Sequence, residues 1–131
     1  ETLHTQEGLP VTRRHQLFKE DGTAVTQADV YDITVRVFDE SGTDPATATH
    51  TYPLGIAEVI YDTMQTGSDW KEDSTGYNFK AGLDGSWFPK GGHLYRVEIT
   101  TTIHSDDAAI PGTAPLRDKF HVNTGTGVYS Q

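Results

Sequence analysis

Six histidines (His4, His15, His50, His93, His104 and His121) and nineteen carboxylates are the side chains of this chain best suited to chemistry. A metal site on a strand takes ligands at positions i and i+2, which share a face, but no two histidines have that spacing. His93 and His104 fall at opposite ends of one predicted strand, more than ~30 Å apart at about 3.3 Å per residue. His104 with Asp106 and Asp107 makes one conceivable ion corner, although a solvated loop accounts for it better. Asp69, Glu72 and Asp73 lie close together, yet the calcium-loop pattern with its central Gly is missing. Paired carboxylates for glycoside hydrolysis need not be neighbours in sequence, but nothing marks two among nineteen. There is no G-x-S-x-G elbow, no phosphate-binding loop and no Cys. The expectation is a protein that is not an enzyme, with no metal and no cofactor.

The remaining candidates are apolar. Trp70, Trp87 and Phe88 fall where loops are expected, and exposed loop aromatics stack on sugars or anchor interfaces. For Trp87 the plainer reading is a plug for the open end of a core, whereas for Trp70 the two readings balance. Leu9, Val128 and Tyr129 are the apolar anchors of two otherwise unpatterned termini. These five residues, Trp70, Trp87, Leu9, Val128 and Tyr129, are the candidate interaction residues.

Positioning them requires a fold, and 131 residues suffice for one domain with its own core. With no Cys, disulfides are excluded and the redox compartment cannot be read. A formal net charge of −9 with scattered basic residues argues against nucleic acid and against an anionic membrane surface as partners. No run approaches the ~20 apolar residues of a membrane-spanning helix, and no signal peptide is visible.

Gly91 to His104 (GGHLYRVEITTTIH) carries the clearest period, with His93, Tyr95, Val97, Ile99, Thr101 and Ile103 on one side of an extended chain. Ala28 to Glu40 repeats it, with Tyr31, Ile33, Val35 and Val37 inward and Asp32, Thr34 and Arg36 outward. Val11 to Phe18, Thr49 to Tyr52, Gly76 to Leu83 and Leu116 to Asn123 read as further strands, and Pro53 marks an edge. Ala57 to Met64 fits either a helical turn or a strand. Lys19 to Gly22 is a turn, and Ser41 to Ala48, Thr66 to Thr75 and Asp106 to Pro115 are loops. The sum is an all-β, antiparallel sandwich of about seven strands. Residues 10–123 form the domain, 1–9 a flexible N-terminal arm and 124–131 a C-terminal tail.

Tyr77 and Phe79, the corner Pro89-Lys90-Gly91-Gly92, and then Tyr95, Val97 and Ile99 resemble the E–F region of an immunoglobulin-like or fibronectin-III-like sandwich. That resemblance implies an immunoglobulin-like architecture without the antibody disulfide. It makes Tyr95 a corner tyrosine whose hydroxyl returns to an upstream backbone group. The order DGTAVTQADVYDITVRVFDE, a polar loop with Trp70, STGYNF and FPKGGHLYRVEI is also similar to small acidic β-sandwich proteins among the structural proteins of tailed phages. This second resemblance implies a virion protein, a capsid-decoration or head–tail component held to other protein subunits in an oligomer or lattice. The alternative is an extracellular or cell-surface adhesion or carbohydrate-binding module that works through its loop aromatics.

Overall fold

A computed structural model describes residues 2–5, 8–19, 22–66, 76–104 and 113–125. Eight strands alternate with very little helix: β1 (Thr2–Thr5), β2 (Val11–His15), β3 (Val30–Asp39), β4 (His50–Pro53), a single helical turn α1 (Ile56–Val59), β5 (Ile60–Gln65), β6 (Tyr77–Leu83), β7 (Leu94–His104) and β8 (Thr113–Thr124). They form two sheets, one of five strands in the order β1-β8-β7-β3-β4 and one of three in the order β2-β6-β5. Every pairing is antiparallel except β1 with β8. The protein is therefore an all-β, sandwich-like domain.

β7 is the axis of the larger sheet because both of its faces were specified residue by residue. Tyr95, Val97, Ile99, Thr101 and Ile103 are buried, and the residues between them are not. Val35 and Val37 lie opposite Ile99 and Val97 in register, so the inward sides of β3 and β7 form one apolar surface. Phe79, Ala81 and Leu83 of β6 and Phe120 and Val122 of β8 close the core from their own sheets. Phe88, fully buried, meets Tyr95 edge to face at 5.4 Å.

Several expectations need correction. Tyr31 points to solvent, 62% exposed, because the β3–β7 register shifts between Val30 and Asp32 and Val30 takes the inward place. Ala57 to Met64 is both readings in succession, a turn of helix and then β5. β2 stops at His15, because buried Asn78 binds the backbone that follows. Its side chain accepts from the Leu17 N–H at 2.7 Å and donates to the carbonyls of Leu17 and Val25. β8 begins at Thr113 rather than Leu116, and Pro115 fits inside it where the free side of the strand needs no N–H donor. Thr2–Thr5, expected in a free arm, is instead an edge strand. Its backbone pairs with His121–Thr124, and Leu3 packs against the core.

Tyr95 makes the upstream backbone bond that the resemblance implied. Its hydroxyl accepts the Lys90 backbone N–H at 3.1 Å, while the ring is 1% exposed. Tyr95→Phe should therefore cost about 1–3 kcal/mol, since it leaves that N–H without a partner. Chemical denaturation will measure the loss, and a change under about 0.5 kcal/mol would remove the corner role. Burial pushes the Tyr95 phenol above its ordinary value, the Lys90 N–H opposes this, and the Asp39 carboxylate adds to the rise. The stability this contributes is complete below about pH 10 and is lost as pH climbs through the raised value, so Tyr95→Phe should flatten the alkaline limb of the stability curve.

Gly76 enters β6 with φ of +95°, and a Cβ there would collide with the carbonyl oxygen of Gln65. Gly76→Ala combines a left-handed backbone with a backbone clash. It should lower stability by at least about 1–3 kcal/mol in the same assay.

Candidate interaction face

The outward side of the larger sheet is where charge, aromatic surface and order coincide. Side chains opposite one another in register form rows across β3, β7 and β8. Thr34, Thr100 and Arg117 make one row, Arg36, Glu98 and Lys119 the next, and Phe38, Arg96 and His121 the third. Strand alternation sends all of these away from the core.

Phe38 is the exception that organises the face. It is only 5% exposed although it sits on the outward side, because two guanidinium groups cover it. Arg96 lies 4.1 Å and Arg36 5.6 Å from its ring centroid. Arg96 is itself held by Glu98 at 2.8 Å and Glu40 at 3.0 Å. Glu98 also reaches Arg36 at 3.4 Å, and His121 Nε2 lies 2.7 Å from Glu40. Partly exposed polar contacts of this kind add little stability singly. As a connected set over a buried ring, they hold the long side chains in fixed positions. Arg117 and Lys119 extend the face along β8, exposed and with no ion-pair partner among the described residues. A depression lies between them, Arg36, Glu98, Thr100 and Asp118.

The end of the sheet near the corner is polar in a different way. His93 Nδ1 lies 2.9 and 3.0 Å from the two oxygens of Asp39, which is 8% exposed. Thr124 donates its hydroxyl to the Lys90 carbonyl at 2.6 Å and accepts from the His93 N–H at 3.1 Å. These contacts tie β3, β7 and β8 together at that end. Among the described residues, no three His, Cys or carboxylate side chains converge as a metal site.

Of the five candidate interaction residues, Trp87 and Leu9 fall among the described residues. Trp87 is 8% exposed and stacks on Tyr52 at 4.7 Å, covering the side of the core beside β4 as a plug. Leu9 is 47% exposed, next to a backbone bond from Gly8 to the Phe88 carbonyl. Trp70, Val128 and Tyr129 lie outside the described residues. Sequence reasoning passed over Phe38, Arg96, Glu98 and Glu40, and weighed His121 only as a metal ligand. One signal was there to use: Phe38 is a large apolar residue at an outward position of β3, flanked two residues away by Arg36 and Glu40. No protein-family model matches the chain, and no curated protein and no solved structure matches it either.

Proposed function

We propose that this chain is a non-enzymatic structural protein working through protein–protein contacts, as a capsid-decoration or head–tail component of a tailed-phage-like virion. The observation that supports this best is the ordered outward face around Phe38, where Arg36, Arg96, Glu40, Glu98 and His121 are already fixed in position. Protein interfaces favour Arg and aromatic side chains, and side chains ordered beforehand lose less entropy on docking. The sandwich is read as immunoglobulin-like. β2, β6 and β5 take the places of strands B, E and D, and β3, β7 and β8 those of C, F and G. The corner bond from Lys90 to Tyr95 supports the same reading.

The test is incorporation into particles purified from cells that produce the chain. Arg96→Glu uncovers Phe38 and turns the network against itself, so incorporation should fall at least about tenfold while the domain stays folded. Lys80→Glu, on the other sheet, is the control and should incorporate normally. Unchanged incorporation of Arg96→Glu would remove this face from the proposal. Failure of the wild-type chain to enter particles, together with glycan binding lost on Trp70→Ala, would favour the adhesion module instead.

A further inference from the structure

β8 is twelve residues long, and β7 pairs with eleven of them, from Thr113 to Asn123. On its other side, β1 covers only His121–Thr124. Among the described residues, the backbone edge from Thr113 to Phe120 has no strand beside it. Such an edge templates a further strand unless something discourages pairing.

The side chains here discourage most partners, but not all. Pro115 blocks only the beginning of the stretch. Asp118 points inward, yet its charge is taken up by Arg13, at 2.9 Å through both carboxylate oxygens. What an incoming strand meets from Leu116 to Phe120 is Arg117 and Lys119, two residues apart on the outward side and exposed. They repel a basic segment and leave a neutral one without compensation, but they attract carboxylates spaced in the same way. Residues i and i+2 of a strand lie about 6.6 Å apart on one face, so acidic side chains at alternate positions match them.

We infer that the β8 edge from Leu116 to Phe120 takes up an extended acidic segment of a partner protein as an added strand, in line with β1. The inference rests on the reading that the chain acts through protein contacts, and it adds the chemistry of the partner. Main-chain hydrogen bonds hold the segment, and Arg117 and Lys119 choose it. The net charge of −9 disfavours a second copy of this chain and polynucleotides at long range, but a short segment bearing few carboxylates suffers less repulsion.

The probe is a peptide of about eight residues alternating Glu and Val, titrated into the full chain with amide signals followed by NMR. Signals of Leu116 to Phe120 should shift, and the Arg117→Glu, Lys119→Glu double variant should weaken binding at least about tenfold while its other signals stay in place. The same peptide N-methylated at alternate residues should not bind, because it cannot pair as a strand. Equal binding of the methylated peptide would overturn strand addition. No binding of the acidic peptide, equal binding of a Lys–Val peptide, or shifts elsewhere would overturn the site. Shifts at these residues on concentration of the chain alone, or on adding a polynucleotide, without any with the acidic peptide, would overturn the choice of partner. Wild-type incorporation into particles is read separately, so this inference can fail while the structural role stands.

Discussion

Asp118→Ala is expected to destabilise the domain by about 3–5 kcal/mol, far more than any surface substitution. The reason is where the pair sits. Arg13 comes from β2 in one sheet and Asp118 from β8 in the other, and Nε and Nη2 each reach a carboxylate oxygen at 2.9 Å. Their side chains are 8% and 11% exposed, and the guanidinium lies 4.7 Å from the centre of the Phe120 ring. Removing the carboxylate takes two charge-assisted hydrogen bonds from a cation that lies between the two sheets against Phe120. Replacing both partners, Arg13→Met with Asp118→Leu, should bring stability back to within about 1–2 kcal/mol of wild type, because no charge is then buried. A double-mutant cycle in urea measures both quantities. A loss under about 1 kcal/mol for Asp118→Ala would mean that water solvates Arg13 in the folded protein.

Val35→Asp should unfold the domain outright. Val35 is fully buried at the centre of β3, between Ile99 of β7 and Tyr52 of β4 in register. A carboxylate there has no partner, and the cost exceeds about 5 kcal/mol, the lower end of the stability of an ordinary domain. Thr34→Asp, one residue away, should change stability by less than about 1 kcal/mol, because it faces outward in the row that holds Arg117. Circular dichroism and thermal melts distinguish the two. Equal damage at both positions would mean that β3 is covered on both faces.

What the sequence disclosed depended on how local the cause was. The inward sides of β3 and β7 were legible because alternation is written in neighbouring residues, and the bond of the Tyr95 hydroxyl was implied only by the resemblance that Pro89 to Gly92 helps to carry. Tyr31 was misjudged because a register shift is decided by the partner strand and leaves no mark in the strand's own period. The end of β2 depends on Asn78, some sixty positions later, and β1 on residues at the far end of the chain. The candidate face was hidden for the same reason. Phe38, Arg96 and His121 become neighbours only once three strands are in register. Trp87 could be weighed beforehand as a plug, but its partner Tyr52 could not be named.

The parallel pairing of β1 with β8 also has a consequence in time. β1 is made before its partner β8, which follows more than a hundred residues later. At roughly 5–20 residues per second, Thr2–Thr5 waits about 5–25 s for an edge to join. Antiparallel neighbours β3 with β4, and β7 with β8, close over far shorter loops and can form as they emerge. β1 can join only after β8 is made, and until it does no strand among the described residues lies along the far edge of β8, so that any segment able to pair at His121–Thr124 competes there with β1.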